Sequence, residues 1–138
     1  MKTTRALALL ATALFTAGLA GSANAITPIP AAQSPEAVLR LTVAHGTSPT
    51  SGTPRVAALD CPPDAATTHP DPITACRLLD SVNGDLDRLD VDPGVCTDLY
   101  DPYTVTAKGV YRGQPLSFQH TYGNQCVLLR TTGAFFDF

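Results

Sequence analysis

Between residues 37 and 43 the chain alternates. Leu39, Leu41 and Val43 fall on one side of an extended segment, with Arg40 and Thr42 on the other. A period of two predicts a half-buried strand over 37–43. Residues 46–54, rich in Thr, Ser, Gly and Pro, read as a turn. Val56 to Asp60 then reads as a second strand running into Cys61. Prolines crowd residues 62–72 and predict an irregular loop, at whose end Asp71-Pro72 is a helix start, with Asp as the cap and Pro in the first turn. Ala75, Leu78, Leu79 and Val82 recur at helical spacing and lay an apolar stripe on a core. Asn83-Gly84 stops that helix, because glycine tolerates the left-handed conformation of a cap. Tyr103 to Val110 and Leu116 to Tyr122 alternate again around a turn at Arg112-Gly113-Gln114-Pro115. Ala134 to Phe138 reads as a last strand with aromatic faces. Strands close in sequence with one helix between them predict an α+β domain, an antiparallel sheet covered by a helix.

The first 25 residues follow another rule. Lys2 and Arg5 precede an apolar run from Ala6 to Ala20, and Ala23-Asn24-Ala25 has the small-x-small form of a cleavage site. That is the pattern of a secretory signal peptide over 1–25. The run is too short to span a bilayer comfortably, and no later one is longer, so no membrane partner is expected. The remainder, 26–138, is 138 − 25 = 113 residues, the size of a single domain. Its start, 26–36, carries Pro28, Pro30 and Pro35 and reads as a mobile arm. Losing Lys2 and Arg5 leaves 7 basic residues against 12 acidic ones, a net charge of 7 − 12 = −5. Without a Lys/Arg cluster, phosphate contacts are missing and a nucleic-acid partner is excluded.

All four cysteines, Cys61, Cys76, Cys96 and Cys126, lie after the leader. In an exported chain an even number points to disulfides, and four cysteines allow three pairings between which spacing does not choose. Zinc is disfavoured: no pair has Cys-x-x-Cys spacing, and His45, His69 and His120 do not stand at ligand spacing from the cysteines. Asn83, Asp85 and Asp87 imitate the first ligands of a calcium loop. Arg88 stands where that loop needs Gly, and Gly94 where it needs Glu, so a solvated acidic turn is the better reading. A hydrolase would need a nucleophile with a base and an orienting group. No Gly-x-Ser-x-Gly elbow exists and nothing pairs a histidine with a nucleophile, so neither an enzyme nor a cofactor is expected.

The segment Val95-Cys96-Thr97-Asp98-Leu99-Tyr100-Asp101-Pro102 invites another chemistry. It hangs from one cysteine, Pro102 limits it at the far end, and Asn124-Gln125-Cys126 lies downstream. A rigid, extended loop of this kind suits a substrate-like protease inhibitor, because a preorganised segment loses little entropy on binding. At this point the residues resemble the Streptomyces subtilisin inhibitor family, small secreted inhibitors of serine proteases. The resemblance rests on Leu41-Thr42-Val43, Thr68-His69-Pro70, Ala75-Cys76, Gly84-Asp85-Leu86, Tyr100-Asp101-Pro102, Lys108-Gly109-Val110, Asn124 with Cys126, and the Phe-rich end. It covers nearly all of 26–138.

The resemblance implies a five-stranded antiparallel sheet with two short helices, the disulfide pairs Cys61–Cys76 and Cys96–Cys126, and a homodimer. It implies a reactive bond between Asp98 and Leu99, protease contacts from Val95, Cys96, Thr97 and Tyr100, and loop support from Asn124 and Cys126. One residue departs from the family pattern. Lys, Arg or Met is usual where this chain has Asp98, the residue that enters the primary specificity pocket of the protease. A carboxylate in the apolar pocket of a subtilisin-like enzyme must be desolvated or protonated, and in a trypsin-like pocket it meets a like charge. The expected partner is therefore a serine endopeptidase, subtilisin-like or specific for acidic residues. The alternative is a secreted binding protein on the same scaffold without inhibitory activity.

Overall fold

The computed structural model describes residues 34–138; the signal peptide expected over 1–25 and most of the arm expected over 26–36 lie outside them. Four strands form one antiparallel sheet: β1 (Ala37–His45), β2 (Arg55–Cys61), β3 (Tyr103–Tyr111) and β4 (Gln114–Tyr122), in the order β2-β1-β3-β4. Two helices accompany them, α1 (Pro72–Ser81) and α2 (Gln125–Thr132). Short 3-10 turns run over Leu86–Arg88 and Gly133–Phe136.

The alternation read in the sequence is the register of this sheet. Leu39 faces Leu59 and Gly109 across its neighbours, Leu41 faces Ala57 and Ala107, and Val43 faces Val105. These residues bury one side of the sheet against α1, through Ala75 and Leu79, and against Phe135 and Phe136. Each fully buried Leu of this kind contributes about 1.5–3 kcal/mol. Helix α1 starts as predicted: the Asp71 side chain accepts from the Thr74 N–H, and that bond lowers the Asp71 pKa below the ordinary carboxylate value. The β3–β4 hairpin turns on Arg112 and Gly113 alone, at φ of 48° and 75°. Two residues with positive φ are the turn that matches strand twist, so Gln114 and Pro115 belong to β4 and not to the turn.

Two further expectations are corrected. The sheet has four strands among the described residues, not five. The segment Ala134–Phe138 is not a strand. Phe135 and Phe136 are both fully buried, and adjacent residues in a strand would point to opposite faces. Gly133, at φ 56°, turns the chain into the Gly133–Phe136 turn, and the Phe135 carbonyl accepts from His69 Nε2 at 3.2 Å. Helix α2 carries no assignment in the strand-and-helix pattern, although Asn124 before it and Gly133 after it are start and stop signals.

Candidate functional site

Residues 89–102 join the 3-10 turn to β3 without regular structure, and are hydrogen-bonded to α2 and its flank and, at their far end, to the end of β1. Leu89 is buried. The Val91 and Asp92 N–H groups donate to the carbonyls of Thr131 and Arg130, at 3.1 and 2.9 Å. Arg130 crosses over the same stretch: its Nη2 lies 3.3 Å from Asp92 Oδ1. A Cβ on Gly94 would stand 1.5 Å from that nitrogen, so the guanidinium occupies the space a side chain would need. Between them lies a cleft of about 240 Å³, lined by Asp92, Gly94, Cys96, Asp98, Val127 and Arg130 among others.

The next tie is covalent. Cys96 is bonded to Cys126 in the first turn of α2, with Cα atoms 5.9 Å apart, and the second bridge joins Cys61 to Cys76. In the chain-entropy model, bridges closing loops of 15 and 30 residues contribute about 3 to 4 kcal/mol each.

Asn124 then fastens the middle of the loop. Its Nδ2 donates to the carbonyls of Thr97 and Leu99, both at 2.9 Å, and its Oδ1 accepts from the Val127 N–H at 3.0 Å. One buried amide thus caps α2 and holds the two carbonyls that straddle Asp98. Thr97 Oγ1 accepts from the Leu99 N–H at 3.2 Å. Beyond Tyr100, the Asp101 N–H donates to Gly123 O at 2.9 Å, and Pro102 O accepts from the Gly46 N–H at 2.7 Å. The backbone is tied down along its length while the side chains of Val95, Asp98, Leu99 and Tyr100 face solvent. Val95 is 96% exposed, Leu99 68% and Tyr100 69%, and Asp98 is exposed as well. Large apolar side chains on a rigid, solvent-facing loop are a surface waiting for a partner.

The other candidates are dispersed. His69 is buried, with Nδ1 accepting from the Asp71 N–H and Nε2 donating to Phe135 O. His120 stands between Phe118 and Tyr122 on β4, and burial pushes the Tyr122 hydroxyl up to about 12, with Asp87 adding to the effect. Asn83 Oδ1 accepts from Arg112 Nη1 at 2.6 Å. His45 meets Asp101, and Arg130 supports the loop under Gly94; sequence reasoning singled out neither contact. Both connect residues more than 35 positions apart, so no local pattern announces them.

A small disulfide-braced α+β domain that displays one supported loop defines a class of binding protein by its construction. The comparisons give that class its family. A family model described as subtilisin inhibitor-like matches residues 35–124. A trypsin inhibitor of Streptomyces longisporus is 46% identical over 125 residues, which span 88% of this chain and 85% of that one. A subtilase-type protease inhibitor of Streptomyces fradiae is 45% identical over 103 residues, 72% of each chain. Among solved structures, Streptomyces caespitosus sermetstatin in complex with Bacillus licheniformis subtilisin is similar with a TM-score of 0.62 and 34% identity, over 73% of this chain and 97% of that one. The chain belongs to the subtilisin inhibitor-like family.

Proposed function

We propose that this protein is an exported inhibitor of serine endopeptidases that acts as a tightly held substrate, with Asp98–Leu99 as the reactive bond. The observation that carries the reading is the double anchorage by Asn124 of the carbonyls of Thr97 and Leu99, on either side of Asp98. A protease needs an extended backbone, and this one is presented with its geometry already set, so little conformational entropy is lost on binding. Val95, Cys96, Thr97 and Tyr100 extend the contact. Export is supported by the leader pattern of 1–25 and by two disulfides, which persist outside the cell. Among the described residues no helix is long and apolar enough to cross a membrane. A homodimer through the outer sheet face is supported by Val38 and Val110, direct neighbours across β1 and β3, and by Val56, all about half exposed.

Asp98 decides the target. An apolar pocket disfavours its charge, whereas a cationic or hydrogen-bonding pocket accepts it. The favoured target is therefore a serine protease that prefers acidic residues, with subtilisin-like enzymes held mainly through the backbone and neighbouring side chains. Titration of subtilisin-like, trypsin-like and acidic-specific proteases with the native protein and Asp98→Met tests this. Met should strengthen inhibition of the subtilisin-like enzyme at neutral pH and weaken that of the acidic-specific one, each by about tenfold or more, or roughly 1.4 kcal/mol. Identical inhibition constants for both variants across both enzymes would remove Asp98 from the specificity role. No inhibition of any enzyme would leave a binding protein on the same scaffold.

A further inference from the structure

The far end of the loop carries a contact that the reactive-bond reading does not use. Asp101 lies three residues beyond Asp98, and its carboxylate meets His45 Nε2 at 2.5 Å. His45 closes β1, opposite Tyr103 in the register, and its imidazole lies on the Tyr103 ring with centroids 4.6 Å apart and planes 16° apart. The next residue, Gly46, donates its N–H to Pro102 O. A strand end, an aromatic platform and a main-chain bond therefore fix the imidazole, and the imidazole fixes Asp101. Both partners stay about half exposed.

We propose that His45 is a positioning residue for the inhibitory cycle, holding the leaving segment in place while the reactive bond is open. The role rests on Asp98–Leu99 being that bond. When the protease serine attacks the Asp98 carbonyl carbon, the bond to the Leu99 nitrogen breaks. The serine proton passes through the enzyme's histidine to the departing amine, and an ester joins Asp98 to the serine. Two outcomes compete from there. The Leu99 amine attacks the ester, re-forms the peptide bond and releases the serine with its proton; or water attacks, releases the serine and leaves a carboxylate on Asp98. The first depends on how long the amine stays beside the ester, and an oriented, tethered nucleophile outcompetes a free one. Only Leu99 and Tyr100 separate the new amine from Asp101. The His45 contact, with the Asp101 N–H bond to Gly123 O, limits how far that short segment can swing. Asn124 holds the Leu99 carbonyl, and His45 holds the chain that follows.

The test uses the full protein with catalytic amounts of whichever protease it inhibits most strongly. The cleaved site is mapped by mass spectrometry, and the ratio of cleaved to intact inhibitor is followed to equilibrium from both directions. His45→Ala should raise that ratio by about 2- to 5-fold, the range expected of a half-exposed polar pair. It should shorten the duration of inhibition by a similar factor while changing the inhibition constant read before turnover by less. His45→Lys, which restores a hydrogen-bond donor facing Asp101, should return the ratio toward the native value, and Asp101→Ala added to His45→Ala should add little. His45 is exposed, so unchanged thermal unfolding is expected and separates the effect from loss of fold. Cleavage at Asp98–Leu99 with the same ratio in the native and Ala proteins would overturn the role of His45 alone. Cleavage of the native protein at another bond, or at none, would overturn the reactive-bond reading and the role of His45 with it.

Discussion

Asn124 does two jobs with one side chain, and its two ends can be separated chemically. The oxygen caps α2, and the nitrogen holds the loop. Asn124→Asp keeps the capping oxygen and replaces the donor with a second acceptor that faces two carbonyls. The helix should survive, because Asp and Asn cap equally well. The loop should not: two hydrogen bonds worth about 1 kcal/mol each are lost. Inhibition should weaken by about tenfold or more, and stability measured by denaturant unfolding should fall by no more than the roughly 2 kcal/mol that those two bonds contribute. A larger loss of stability would mean that Asn124 acts on the fold as a whole. The presence of Asn two residues before a cysteine is visible in the sequence. Its double donation is not, because Thr97 and Leu99 lie more than 20 positions upstream.

Among the elements, the strands and α1 were legible because each satisfies its own period. Leu39, Leu41 and Val43 alternate whatever they later pack against, and Asp71-Pro72 caps a helix by local chemistry. The C-terminal aromatic segment is not legible in this way, because hydrophobic residues in succession fit a strand and a buried turn equally well. Burial of both Phe135 and Phe136 decided the matter, and it depends on α1 and the sheet being there to enclose them. Gly109 shows the same dependence from the other side. In β3 a Cβ at this position would stand 2.0 Å from Val38 O in β1, a clash with backbone that no rotamer relieves. Gly109→Ala should therefore destabilise the protein by about 2 kcal/mol or more, measured by denaturant unfolding. A neutral result would show that β1 and β3 can separate locally without loss.

For the molecule as a whole, the loop is kept extended by a helix it does not belong to. Cys96 joins it to α2 covalently, Arg130 backs it under Gly94, Asn124 spans it, and Gly123 and Gly46 receive its exit. Replacing Cys96 and Cys126 together by Ser should cost about 3 to 4 kcal/mol of stability. The sheet core, which contains neither residue, should still form. The loop should change from inhibitor to substrate, with cleavage at Asp98–Leu99 followed by mass spectrometry. Inhibition by the double variant equal to that of the native protein, without cleavage, would show that hydrogen bonds suffice to hold it.

The sequence by itself determined the alternating strands, the capped first helix, the acidic charge balance, the leader pattern and the segment that forms the loop. Each is written in neighbouring residues, where backbone geometry and the hydrophobic effect act locally. Tertiary structure alone decided the four-strand count, the burial of the aromatic end, and the contacts of Arg130 with Gly94 and of His45 with Asp101. Those depend on which surfaces remain free once the sheet has closed, and on partners that chain topology brings together from distant positions.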